Sequence, residues 1–369
     1  MLWILFLVSA LIAYGVTKLS IVLSLRRGVL DLPNPRSSHS RPVPRMGGLG
    51  ILAGFFLSTA GLGVFGLRAG MDAGIFTRDV LLVVIAGAGV AITGLCDDLY
   101  HLKPATKFLM QFVLAGLVIV LGARVEILTF PLAGPLALGV IAYPITLLWL
   151  TGFANIFNFM DGINGLAAGT GVVYSGLFFL VAGWQNNPDL AAIAVLLAGS
   201  CLGFLFHNFP QARTFMGDTG SLFLGIVFAL LVVRLAQRSH NPASLVALVL
   251  GTSVYLWDSG FTLLRRLKHG ENIFRAHRSH LYQRLVQAGW SHVKVTSLYL
   301  FLHMFLAALA LAYVWSSELG RLWILLSAAV VFSGFTLAVY GLERRRMASK
   351  LPGDGKISDS LSQGRPSGQ

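Results

Sequence analysis

The chain has 369 residues, 56% of them apolar and only 12% charged, with a mean hydropathy of +0.75. Soluble domains carry about 25% charged residues, so a water-soluble globular enzyme is excluded and an all-α, polytopic integral membrane protein is implied. The net charge of +13 would point to nucleic acid in a soluble chain; here the placement of the charges assigns them to membrane topology, and no nucleic-acid partner is expected.

Runs of about 17–25 apolar residues are candidate membrane spans. In chain order the sequence predicts eleven: 2–23, 47–67, 80–96, 106–122, 136–153, 163–182, 190–206, 220–236, 243–264, 295–314 and 322–342. The first is longer than a signal-peptide apolar region and has no basic residue before it, so it reads as a retained helix. The second is glycine-rich from Gly47 to Gly63, which favours close helix contact. Pro144 interrupts the fifth, as membrane helices tolerate. Cys96 and Cys201 lack metal or redox spacing and read as core thiols. Residues 1–342 form the expected transmembrane catalytic domain. The basic tail 343–369 opens on Glu343-Arg344-Arg345-Arg346, holds little that could pack, and is expected to be disordered.

Alternation of eleven spans divides the connecting segments into two sets. One holds twenty-one Lys and Arg residues, the other five. Cationic loops stay in the cytoplasm, which puts the N-terminus outside and the C-terminus inside. Attraction to anionic headgroups accounts for basic residues such as Arg265, Arg266 and Lys268.

Four hydrophilic motifs then fall on the cytoplasmic side. Ionisable groups at a membrane are costly unless solvated, paired or metal-bound, which makes them functional candidates. Asp97-Asp98 closes the third span; adjacent carboxylates cannot point the same way along a helix, so one is expected to hold a cation or lysine and the other to act as base. The plainer alternative is a solvated helix end. Asn155, Asn158 and Asp161 follow at three-residue spacing in NIFNFMDGING, roughly on one face of the fifth span's end. Amides there can bind a base edge or complete a metal shell, or simply join helices. Asp218, in Phe215-Met-Gly-Asp-Thr-Gly-Ser221, precedes the eighth span, where a carboxylate can hold Mg²⁺ while backbone N–H groups face phosphate; an ordinary N-cap turn would look the same. The late loop 265–294 carries His277-Arg278-Ser279-His280 among other basic residues, suited to diphosphates and sugar hydroxyls.

Taken in order, DD, NxxNxxDGxNG, FMGDTGS and HRxH resemble the polyprenyl-phosphate N-acetylhexosamine-1-phosphate transferases, with similarity running from Asp31-Leu-Pro-Asn-Pro-Arg-Ser-Ser-His39 through Gly47-Gly48 to His280. The resemblance implies transfer of a sugar-1-phosphate from a UDP-N-acetylhexosamine to undecaprenyl phosphate, with release of UMP and a need for Mg²⁺, or Mn²⁺ in its place. It implies that Asp218 and Asn158 hold the metal, and that Asp97 and Asp98 position and deprotonate the lipid phosphate. Lys107 would contact phosphate, Phe215 would stack on uracil, and Asn164 would touch its polar edge. Asn155 and Asp161 would line the substrate pocket, and His277, Arg278 and His280 would meet the diphosphate or sugar. Asn164 stands where many bacterial members have Asp. The late loop lacks the three-histidine run of the muramoyl-pentapeptide enzymes, which favours GlcNAc or a deoxy relative and the members that initiate O-antigen. The implied setting is the bacterial inner membrane, and a homodimer is compatible with it. The competing readings are a phospho-muramoyl-pentapeptide transferase, a transporter of anionic solutes, which calls for polar groups at the bilayer midplane, and a scaffold for glycan assembly.

Overall fold

The computed structural model describes residues 2–33, 41–68, 77–272 and 277–350. Residues 34–39 of the Asp31–His39 stretch, 273–276 of the late loop, and 351–369 of the basic tail lie outside them.

Each of the eleven apolar runs contains a helix. These are α1 (Leu2–Arg27), α2 (Gly48–Arg68), α3 (Arg78–Tyr100), α4 (Pro104–Val120), α5 (Ala142–Phe159), α6 (Leu166–Trp184), α7 (Pro188–Asn208), α8 (Gly217–Arg238), the pair α9 (Ser244–Gly251) and α10 (Ser253–Lys268), α12 (His292–Trp315) and α13 (Glu318–Lys350). A short α11 (Leu281–Gln287) sits in the late loop. Among the described residues eight helices are long and apolar enough to cross a membrane, nine if the α9–α10 pair counts as one; Gly48–Val64 and Pro104–Val120 are shorter apolar helices.

Local chemistry sets the ends. The Thr77 side chain accepts the Val80 amide at 3.3 Å and caps α3, while Pro104 and Pro188 open α4 and α7 where a missing N–H costs nothing. Two short antiparallel pairs complete the secondary structure: β1 (Leu30–Asp31) with β2 (Val43–Pro44), and β3 (Ile127–Phe130) with β4 (Gly134–Ala137).

The fold departs from the sequence expectation in three places. Residues 127–137 form the β3–β4 hairpin, so α5 begins at Ala142 rather than 136. Pro144 thereby falls in the first turn of α5, where proline is tolerated. The ninth run is broken, α9 and α10 meeting at a 70° bend. The last helix passes the expected boundary at 342 and continues to Lys350. Arg284 on α11 pairs with Glu343, its Nε 2.6 Å from Oε1, and lies over the Tyr340 ring at 4.0 Å, which gives the extra turns something to pack on.

The core is organised around α8, whose residues from Thr219 to Leu235 are all buried, against α3, α5, α2, α9 and α6. A second layer, α1 on α7 and α2, closes one flank. At Gly94 on α3 a Cβ would overlap the Asp218 carbonyl at the start of α8; only glycine lets the two backbones approach so closely here. One turn further along α3 come Asp97 and Asp98. The opposite ends of the same helices are tied by charge: buried Asp79 on α3 pairs with Arg234 and with Arg238 Nε at 2.6 Å, both on α8, and Arg238 reaches Asp189 on α7 at 3.3 Å.

Candidate active site

Asp97 and Asp98 close α3, Lys107 lies one turn into α4, Asn158 lies near the end of α5, and Asp218 opens α8. The fold brings all five to one end of the bundle. Lys107 Nζ is 3.0 Å from Asp97 Oδ2 and 3.0 Å from Asp218 Oδ2, so one ammonium bridges two carboxylates. Asn158 Nδ2 donates to the other Asp218 oxygen at 3.0 Å and to Ser221 Oγ at 2.8 Å. Four helices are thus joined through Asp218.

The neighbouring aspartates have different surroundings. Asp98 is buried and accepts the Asp218 amide at 3.1 Å, the Thr219 amide at 2.9 Å, the Thr219 hydroxyl at 2.6 Å and Arg45 Nη2 at 2.8 Å. It is a side-chain cap for the first turn of α8, supplied by another helix. Gly217, at φ +69°, fits beneath it because a Cβ would collide with the Asp98 carboxylate. Burial opposes the charge on Arg45, but its hydrogen bond to Asp98 and the fields of Asp98, Asp31 and Asp218 raise its pKa above the usual value. Asp97 pairs with Lys107 and lies against the Asp218 carboxylate, and its side chain keeps some solvent access.

The remaining expected residues divide. Asn155 and Asn158 lie on α5, but Asp161 lies beyond its C-cap Met160, so the three do not form one helical row. Asn155 Nδ2 donates to Gln111 of α4 at 2.5 Å and to its own helix at the Thr151 carbonyl, 2.7 Å, which joins α4 to α5. Burial pushes the Asp161 carboxyl well above its ordinary range, and the fields of Asp218 and Asp98 add to the shift. Asn164 Nδ2 donates to the Pro210 carbonyl at 3.0 Å, and Phe215 is pinned by its backbone, donating to the Pro44 carbonyl at 2.7 Å and accepting Gly47 N–H at 3.0 Å. Asn208 ties these two segments together: its Oδ1 accepts the Gly165 amide at 2.7 Å and its Nδ2 donates to the Thr214 carbonyl at 2.8 Å.

The late loop reaches the same end through α5. The Tyr282 hydroxyl donates to the Phe159 carbonyl at 3.1 Å, and the His280 and Phe159 rings lie 6.3 Å apart. His277 Nδ1 is 2.9 Å from Ser279 Oγ, and the Arg278 carbonyl accepts Gln287 Nε2 at 2.7 Å. His280, expected to meet substrate, is 5% exposed, with its Nδ1 3.2 Å from buried Asp258 on α10.

Four residues were missed from sequence: Arg45, Asn208, Ser221 and Asp258. The proximity of Ser221 to Asp218 was visible, since both lie in FMGDTGS. Asp258 stands more than twenty positions before its partners His280, Leu281, Tyr282 and Tyr299, and Arg45 is likewise remote from Asp98.

Asp218 and Asp97 present carboxylate oxygens, the donor class Mg²⁺ takes, and in this structure those oxygens are held by Lys107 Nζ and Asn158 Nδ2. No cluster of three or more His, Cys, Asp or Glu side chains forms a dedicated cage among the described residues. Mg²⁺ does not need one, since it commonly takes one or two carboxylates and completes its shell with water and substrate phosphate.

Comparison with known proteins follows the same helices. Residues 80–236, from α3 through α8, match the family model described as glycosyl transferase family 4. A Bacillus subtilis (strain 168) protein described as a probable undecaprenyl-phosphate N-acetylglucosaminyl 1-phosphate transferase is 31% identical over 339 residues, 91% of each chain. A Mycobacterium leprae (strain TN) decaprenyl-phosphate N-acetylglucosaminephosphotransferase is 32% identical over 92% of this chain and 90% of its own. A Synechococcus phospho-N-acetylmuramoyl-pentapeptide-transferase (strain JA-3-3Ab) is 35% identical over 77% of this chain and 83% of its own.

Proposed function

The chain belongs to glycosyl transferase family 4, among the polyprenyl-phosphate hexosamine-1-phosphate transferases, and from that premise we propose that it moves N-acetylhexosamine-1-phosphate from a UDP-sugar to undecaprenyl phosphate. The sugar is GlcNAc or a deoxy relative, and the product initiates a lipid-linked surface polysaccharide such as O-antigen. The observation that carries this reading is the Asp97–Lys107–Asp218–Asn158 cluster at one end of the bundle, on the side that the excess of loop Lys and Arg makes cytoplasmic. The same alternation supports eleven membrane crossings in a bacterial inner membrane.

Phosphoryl transfer relies on positioning and charge neutralisation. Asp98 is occupied by four donors, so it holds the start of α8 in place, and the proton-accepting role falls to Asp97. Asp97 takes the proton of the lipid phosphate, whose freed oxygen attacks the β-phosphorus of the UDP-sugar. The bond from that phosphorus to the bridging oxygen breaks, and UMP leaves with the bond's electrons. Lys107 places positive charge beside the oxygens in transit. Asp218 and Asn158 would hold Mg²⁺, which when bound neutralises diphosphate charge. Phe215 and Asn164 present a ring face and an amide to uracil, with their segments joined through Asn208. Asn155 and Asp161 support the wall from α5, while His277 and Arg278 approach the diphosphate and sugar.

The test is UMP release by purified protein given Mg²⁺, undecaprenyl phosphate and a panel of UDP-sugars that includes UDP-MurNAc-pentapeptide. Turnover with UDP-GlcNAc or a deoxy relative supports the reading. Turnover with the pentapeptide substrate alone would replace it with the peptidoglycan reaction, and no UMP from any donor would end the enzyme assignment. Activity that requires no added divalent ion after exhaustive chelation would remove the metal from the scheme.

A further inference from the structure

Asp258 is the most fully engaged carboxylate in the late-loop region, and no step above uses it. It lies on α10 with no solvent exposure. Its Oδ1 accepts the Leu281 amide at 2.8 Å and faces His280 Nδ1 at 3.2 Å and the Thr262 hydroxyl at 3.4 Å. Its Oδ2 accepts the Tyr299 hydroxyl at 2.5 Å and the Tyr282 amide at 3.2 Å. These partners come from α10, α11, α12 and the residue that caps α11.

Amide N–H groups only donate, and there is one on each oxygen, so the group is arranged as a carboxylate. An imidazole nitrogen facing a carboxylate oxygen must carry its proton. Nδ1 of His280 is therefore the N–H, and Nε2 is the nitrogen left over. The same carboxylate thus fixes the tautomer of His280 and the backbone of the two residues after it. His277 lies three residues before His280, with the rings 5.0 Å apart, and Arg278 lies between them. An isolated buried carboxylate is expensive, and a hydrogen-bonded one that orients a histidine is a recurrent arrangement in functional sites.

We propose that Asp258 is the positioning residue of the sugar-diphosphate side of the site: it sets His280, and through His280 the placement of His277 and Arg278, without touching substrate itself. This rests on the reading that His277 and Arg278 meet the diphosphate-sugar while Phe215 and Asn164 meet the base. Asp258→Asn keeps the volume but sets an NH₂ against N–H donors, so the seat loosens on one side. α11 retains its separate attachment through Arg284 to Glu343 and Tyr340.

The experiment uses the full chain in lipid nanodiscs. In Asp258→Asn the KM for the UDP-sugar rises about tenfold or more, the order expected when one buried hydrogen-bond partner is lost. Affinity for UMP stays within about twofold. The double variant Asp258→Asn/His277→Ala loses less than the product of the two single losses, because residues acting through one another are non-additive. Equal losses of UMP and UDP-sugar binding, or losses that multiply in the double variant, would show general damage and overturn the proposal. A readout independent of turnover is the ¹⁵N spectrum of labelled histidine: one imidazole is held as the Nδ1–H tautomer in the parent and released in Asp258→Ala, which leaves no acceptor oxygen. If the parent turns over no UDP-sugar, the functional reading fails by itself. The spectrum still decides the seat, and an unchanged His280 tautomer in Asp258→Ala would refute it.

Discussion

Asp98 holds Thr219 twice, accepting its amide at 2.9 Å and its hydroxyl at 2.6 Å on one oxygen. The residue beside it, Asp97, holds a lysine on the neighbouring helix. Two adjacent carboxylates thus have separable duties, and their variants should fail differently. Asp97→Asn should lower kcat by about 10²-fold or more, as loss of a proton acceptor does, with a melting temperature close to that of the parent. Asp98→Asn should lower both, and Thr219→Val should cost about 1–3 kcal/mol of stability by removing a buried partner. Steady-state UMP release together with thermal melting in detergent separates the two patterns.

Lys107 occupies the space between Asp97 and Asp218 and so competes with any cation for the same oxygens. Lys107→Met should tighten Mn²⁺ binding while turnover falls at least about tenfold. Asp218→Asn should abolish both binding and turnover. Electron paramagnetic resonance of Mn²⁺ titrations measures the first quantity, and UMP release the second. Weaker Mn²⁺ binding in Lys107→Met would show that the ammonium assists the ion rather than competing with it.

At the far end of the bundle, Asp79 pairs with Arg234 and Arg238, away from the chemistry. Removing one partner of a buried ion pair leaves the other uncompensated, at a cost of about 3–5 kcal/mol. Asp79→Ala should therefore lower thermal stability sharply. The fraction that remains folded should turn over at the parental rate, as measured by activity normalised to monodisperse protein.

The raised pKa of Asp161 predicts a pH effect of defined sign. The folded protein binds this proton more tightly than the unfolded chain, where aspartate titrates at about 4. The contribution is complete below that value and is lost as pH rises through the raised folded value. Asp161→Asn, which resembles the protonated form, should lose less stability than the parent over that interval. Melting curves at a series of pH values check it, and parallel profiles would remove Asp161 as the cause.

Apolar length alone located every long helical run, because a membrane span needs about twenty apolar residues whatever its neighbours do; the short α11 lay outside those runs. It could not separate the β3–β4 hairpin from α5, since Ile127, Leu136 and Val140 are apolar yet exposed, and hydropathy does not distinguish such residues from those inside a bundle. The bend at Thr252 was invisible for a similar reason: Tyr174 on another helix donates to the Thr252 carbonyl at 3.0 Å, a contact no local pattern encodes. Asp97, Asn158 and Asp218 were legible because each is polar at the end of an apolar run, whereas Lys107 was named only through the family resemblance. His280 was legible as chemically loaded, but its burial was not, because that depends on Asp258.

α4 packs chiefly on α3 and α5, yet it supplies Lys107, while Asp218 belongs to the helix most tightly walled in by the rest of the bundle. The two sides of the reaction centre therefore differ in freedom. One is an anvil, unable to shift without disturbing most of the interior; the other sits at the rim with fewer neighbours, so a displacement of that helix would change the spacing of the opposing charges while the anvil stays in place.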